Sequence, residues 1–174
     1  MEHTHIVTRF DKDLNEIETL LVEMADKVSE QLRQSAKALQ DGDTDLAVLV
    51  SKNDSVINKL EERIDKKAIR LIALRQPMAE DLRSAITTLK VSTSLERMGD
   101  YAKTLSYRTR ELGDLSTMKP VLRTISEMSE KVCIMLNLVM EGYVNRDLEK
   151  AVKAREADQE INDKTDALFR ELLT

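Results

Sequence analysis

Residues 10–43 read FDKDLNEIETLLVEMADKVSEQLRQSAKALQDGD, and this stretch decides the class of fold. Phe10, Leu14, Ile17, Leu21, Met24, Val28 and Leu32 recur at intervals of three and four, the spacing that lines up side chains on one face of an α-helix. The pattern predicts a helix over about 8–40, broken at Asp41-Gly42-Asp43. A second helix is expected over 44–74, with Leu46, Val50, Ile57, Ile64 and Leu71 as its apolar stripe. Gln76-Pro77 stops it, because proline removes a hydrogen-bond donor and restricts the residue before it. A third runs from about Met78 to Leu112, with Gly113 expected as its C-cap. Two more are expected over 119–144 and 148–174. Long helices joined by short turns lie antiparallel beside one another, so the first three form an up-down-up bundle.

The last two helices repeat the first two. A shift of 104 residues, Asp54 onto Asp158, superimposes the segments without a gap. Met24 then falls on Met128, Val28 on Val132, Leu32 on Leu136, Asp43 on Asp147, Ala47 on Ala151, Ile57 on Ile161 and Asn58 on Asn162. The repeat predicts a first unit over 1–113 and a second over 114–174. Thr174 corresponds to Arg70, so the second unit is expected to lack its third helix and the chain to be part of a longer protein. That leaves apolar stripes at Val121, Ile125, Met128, Val132, Met135 and Val139 and at Val152, Ile161, Leu168 and Leu172 without full cover, which points to self-association.

Composition agrees with an all-α chain. Four Gly and two Pro in 174 residues give little punctuation for hairpins, while 41% hydrophobic and 34% charged residues suit amphipathic helices. Aromatic residues make up 3%, so the core must be built from Leu, Ile, Val, Met and Ala. A net charge of −5 without a basic cluster argues against general binding to nucleic acid or anionic lipid, where Lys and Arg must neutralise phosphates. The polar N-terminus does not read as a secretory signal, and the longest apolar run, 132–140, is interrupted by Asn137 and far short of a bilayer span. The expectation is a soluble, cytoplasmic protein. A single Cys133 excludes an internal disulfide, and its repeat counterpart Ser29 marks a small helix-packing position.

The chemistry lies in paired oxygen donors one helical turn apart. Asp54 with Asn58 on the second helix and Glu96 with Asp100 on the third each lie on one helical face, and Glu61 and Asp65 extend the first stripe. Plotted around the helix, the second-helix stripe flanks the apolar seam, while Glu96 and Asp100 share an azimuth with Leu82, Ile86 and Leu89 and are expected to interrupt a buried face. Like charges at this spacing repel, so something must compensate. One reading is a local ion-pair network with Arg97 or Arg63. The other is a hard cation, since carboxylate and amide oxygens suit Mg²⁺, Ca²⁺, Mn²⁺ and iron. Asp158 and Asn162 form a matching half-site in the second unit.

Asp54-x-x-Ile57-Asn58 with Glu61, the run Leu74-Arg75-Gln76-Pro77-Met78-Ala79-Glu80-Asp81-Leu82-Arg83, and Leu95-Glu96-Arg97-Met98-Gly99-Asp100 resemble the PhoU family of bacterial phosphate-signalling regulators. The resemblance covers nearly the whole chain, duplication included. It implies two three-helix bundles side by side and a cytoplasmic negative regulator of the phosphate-starvation response. It also implies an adaptor between the phosphate ABC transporter ATPase and the phosphate sensor histidine kinase, reaching the membrane only through those partners. Some members carry multinuclear metal clusters at paired acidic motifs. By position that role would fall to Asp54 with Asn58 and Glu96 with Asp100, Asn58 standing where an aspartate would give a more anionic ligand.

Other chemistry has little footing. A ferritin-like di-iron site needs inward Glu-x-x-His motifs, whereas the only histidines are His3 and His5 in what is expected to be a disordered start. No nucleophile stands with a base and no Gly-rich phosphate loop is present, so no enzyme is expected. The alternative to a regulator is a metal-free helical oligomerisation module.

Overall fold

Asp43 and Asp147 each begin a helix in the same way. Both have an extended backbone, and their carboxylates accept from the first turn: Leu46 N at 2.9 Å for Asp43, and Glu149 N and Lys150 N at 3.0 and 3.2 Å for Asp147. Such caps satisfy amide donors that have no partner within the helix. In the computed structural model, which describes residues 2–113 and 115–173, these caps open the second and fifth of five long helices. The helices are α1 (Glu2–Asp41), α2 (Thr44–Arg75), α3 (Ala79–Glu111), α4 (Lys119–Val144) and α5 (Leu148–Leu172), with a 3-10 turn at Ser116–Met118. The protein is all-helical among the described residues, none of whose helices is long and apolar enough to cross a membrane.

Helix α1 is the hub. Its stripe of Ile17, Leu20, Leu21, Met24, Ala25, Val28 and Ser29 is broad enough to be buried against α2 and α3 on one side and α4 on another. Helices α1, α2 and α3 each pack on the other two, whereas α4 packs on α1 and α5, and α5 on α4 alone. At the α1–α4 crossing the Cys133 thiol, fully buried, donates to the Ser29 carbonyl at 3.5 Å, so the residues related by the 104-residue shift meet each other. Burial pushes the Cys133 thiol pKa up, as expected of a packing residue. Salt bridges Lys67–Glu16 at 2.8 Å and Arg75–Asp13 at 2.9 Å line the α1–α2 edge.

Several sequence-based boundaries and faces differ. The backbone of α1 is helical from Glu2, so His3 and His5 lie within the helix; their side chains are outside the described residues. Helix α3 ends at Glu111, and the extended backbone of Leu112 (φ −82°, ψ 106°) follows, so Gly113 provides no left-handed cap. The left-handed stop comes instead at Gln76, φ 45°, whose amide donates to the Ile72 carbonyl at 3.1 Å ahead of Pro77. The buried stripe of α3 is Ala85, Thr88, Ser92, Leu95, Gly99, Ala102, Ser106 and Thr109, not the face of Leu82, Ile86 and Leu89, on which Ile86 is 41% exposed. Small residues win that seam because two other helices must approach α3 closely. The expected start of a second domain at residue 114 is not among the described positions.

Candidate functional site

The site begins with a buried charge. Helix α2 turns Ala47, Val50, Asp54, Ile57, Leu60, Ile64, Ala68 and Leu71 inward, so Asp54 occupies the seam itself rather than its flank and is 2% exposed. An ionised carboxylate there is costly unless it is paired and hydrogen-bonded. Both conditions are met: Lys103 Nζ of α3 donates to Asp54 Oδ2 at 2.6 Å, and Gln31 Nε2 of α1 donates to Oδ1 at 3.3 Å. Gln31 also donates to the Gly99 carbonyl at 3.2 Å, so one amide ties α1 to both other helices. Gly99 is required for this closeness, since a Cβ there would stand 3.0 Å from Ile57 Cδ1 and 3.3 Å from Ile57 Cγ2.

Outside this clamp lies the rest of the acidic set. Glu96 and Glu61 are half-buried, and both carboxyls are held above the usual carboxylate range. For Glu96 burial is the main cause, followed by the charges of Asp100 and Glu61; for Glu61 it is burial, then Asp65 and, more weakly, Asp100. Asp54, Glu61, Asp65, Glu96 and Asp100 thus share one electrostatic neighbourhood between α2 and α3. The Asn58 side chain is exposed and makes no hydrogen bond to a described residue, although it lies one turn from Asp54. Asp158 and Asn162 are exposed on α5 and bond to each other at 3.3 Å.

Neutralisation comes from Lys103 and not from the expected arginines. Lys103 lies 3.8 Å from Asp100 Oδ1 as well as 2.6 Å from Asp54, and the Asp54 carboxylate holds its ammonium pKa above the usual lysine value. Arg97 and Arg63 are exposed and pair with none of these carboxylates. The sequence carried a signal for Lys103, which follows Asp100 by three residues, and for Gln31, a polar residue inside the apolar stripe of α1.

The donor chemistry of Glu61, Asp65, Glu96 and Asp100 fits a hard cation: all are carboxylates, mutually repelling, with only Lys103 nearby to offset them. Asp54 already accepts one hydrogen bond on each oxygen, from Lys103 and Gln31. As the side chains stand, no group of three or more carboxylate, thiol or imidazole residues among those described is arranged to enclose an ion.

The PhoU domain family model matches residues 21–109 and 125–174. The chain belongs to the PhoU family. Its relatives include the phosphate-specific transport system accessory protein PhoU homologue of Rhizobium meliloti, 34% identical over 174 residues, all of this chain and 73% of that protein. The PhoU protein of Escherichia coli K12 is 31% identical over 98% of this chain and 70% of its own length. The crystal structure of PhoU from Pseudomonas aeruginosa superimposes with a TM-score of 0.86 at 28% identity, covering 94% of this chain and 78% of that one. The PhoU structure from Streptococcus pneumoniae gives 0.82 at 25% identity, over 94% and 77%. The PhoU matches take in both sides of the candidate site, α2 and α3, and both helices of the α4–α5 hairpin.

Proposed function

We propose that this chain is a cytoplasmic adaptor that couples the phosphate ABC transporter ATPase to the phosphate sensor histidine kinase and keeps the phosphate-starvation response off when phosphate is plentiful. The observation that carries this reading is 31–36% identity, over nearly the whole chain, to proteins named as accessory to phosphate-specific transport. A rigid bundle with long charged helical faces suits such work: electrostatically steered contacts form and release readily without any chemistry by the adaptor itself. In this reading nucleic acid is not a partner, and the membrane is reached only through the transporter. The chain comprises two PhoU repeats, 1–113 and 114–174, the second without a third helix. The matched caps Asp43 and Asp147 and the meeting of Ser29 with Cys133 support the duplication.

A hard cation such as Mg²⁺, Mn²⁺, Ca²⁺ or iron at Glu61, Asp65, Glu96 and Asp100 belongs to the same proposal. It would supply positive charge beside Glu61 and Glu96, whose carboxyls burial and then neighbouring carboxylates hold above the usual range, and the protein's part would be to hold α2 and α3 together around it. Binding to the folded state raises the melting temperature by mass action. The shift should vanish in Glu96→Ala/Asp100→Ala; identical melting in EDTA and in each cation would discard the metal.

The adaptor role is tested by deleting the gene and following a phosphate-starvation promoter. Derepression in phosphate-rich medium is expected, with pull-down of the ATPase and kinase that weakens as salt rises. Normal repression in the deletion strain would refute the assignment.

A further inference from the structure

The corner between α4 and α5 is held by a residue that its backbone disfavours. Arg146 has a φ of 54°, in the left-handed region that glycine enters freely and other residues seldom do. In the corresponding corner between α1 and α2, 104 residues earlier, stands Gly42 at φ 66°. The arginine keeps this corner through its side chain. Nη2 donates to Glu18 Oε1 on α1 at 2.7 Å, Nη1 donates to the Tyr143 carbonyl at 3.2 Å, and the guanidinium carbon lies 5.2 Å from the centroid of the Tyr143 ring. Glu18 is 9% exposed, while the Arg146 side chain that reaches it is 55% exposed, so the pair joins a buried carboxylate to a guanidinium open to water.

The contact continues onto α3. The Tyr143 hydroxyl is 2.9 Å from Thr88 Oγ1, which is fully buried and donates its own proton to the Ser84 carbonyl at 2.9 Å. The tyrosine is therefore the donor. Among the described residues no other hydrogen bond joins α3 to α4, and α5 packs only on α4. Beside this bond an apolar cleft of about 360 Å³ opens between α3 and α4, lined among others by Leu95, Met98, Met135 and Val139. The α4–α5 hairpin is thus tied to α1 at two places: near Ser29 and Cys133, where Arg33 Nε donates to Glu130 Oε2 at 2.6 Å and Ser129 Oγ to the Leu32 carbonyl at 3.2 Å, and at the far end, where Arg146 meets Glu18.

We propose that Glu18, Arg146, Tyr143 and Thr88 form a strap that sets the angle of the α4–α5 hairpin on the three-helix bundle and the width of the α3–α4 cleft. Releasing it lets the hairpin swing without unfolding either part. Electron–electron resonance distances test this on the full chain, with spin labels at the exposed positions of Arg83→Cys and Glu156→Cys in a Cys133→Ser background. The parent should give one narrow distribution, and Glu18→Gln/Tyr143→Phe a broadened and shifted one, with helical content unchanged. Arg146→Gly relaxes the backbone yet removes the guanidinium and should broaden the distribution likewise. The charge-exchanged Glu18→Arg/Arg146→Glu should be narrower than Glu18→Arg alone. Superimposable distributions for the parent and Glu18→Gln/Tyr143→Phe, or no recovery on charge exchange, would overturn the strap.

Discussion

Lys103 is the residue on which the candidate site turns. Its side chain is 28% exposed while that of Asp54 is 3% exposed, so the pair consists of a charge that reaches water and one that does not. Removing the lysine leaves a carboxylate with only an amide for company in a seam lined by Ile57 and Leu95. Lys103→Met should therefore cost about 2–3 kcal/mol, below the range of about 3–5 kcal/mol for fully buried pairs because the lysine is partly solvated. Asp54→Asn/Lys103→Met should recover much of that, since both charges are then gone and Gln31 keeps a partner. Chemical denaturation gives both values, and a double variant no more stable than Lys103→Met would show that the pair is not the cause. The pairing was half legible in the chain: Lys103 follows Asp100 at helical spacing, but nothing in the linear order says that Asp54 lies opposite it.

At the scale of the element, α2 and α3 present Glu61, Asp65, Glu96 and Asp100 to one another across a seam of small side chains. The raised pKa values of Glu61 and Glu96 mean that the folded chain keeps protons the unfolded chain has already lost, so this contribution falls as pH rises from the ordinary carboxylate range through the raised values. Glu16, Glu62, Glu130 and Glu160 shift the other way through their lysine and arginine partners and lose stability as pH falls, so only a difference against a variant isolates the cluster. Glu61→Gln/Glu96→Gln should raise the melting temperature at pH 7. The gain should shrink to nothing as pH drops below the ordinary carboxylate pKa, whereas a pH-independent gain would place the effect in packing rather than repulsion. The periodicity located these four residues on their helices but misplaced the buried face of α3. Ser92, Gly99 and Ser106 lack an apolar signature and go inside because of their size.

The whole molecule is uneven. The three-helix bundle closes on itself around α1, whereas α4 and α5 share a single seam and leave Ile134 at 52%, Val139 at 41% and Val152 at 48% exposure. Apolar surface of that kind favours association. Sedimentation at tens of micromolar should show a dimer that Val139→Glu/Val152→Glu weakens, and a monomer across that range would remove self-association from the account. The hub role of α1 was not legible from its stripe of threes and fours; Leu20, Ala25 and Ser29 widen the buried face so that it meets α4 as well as α2 and α3.

The sequence by itself determined the all-helical class, the breaks at Asp41-Gly42-Asp43 and Gln76-Pro77, and the family, because each is written in local spacing or in motifs that survive without coordinates. Tertiary structure alone decided that Asp54 is buried, that Lys103 and Gln31 answer it, that Arg97 and Arg63 do not, and that Arg146 reaches Glu18 128 residues away. The reason is physical. Helical periodicity fixes which side chains share a face, but the charge a buried group meets is set by the helix packed opposite, and that choice depends on side-chain size and crossing geometry across three elements at once.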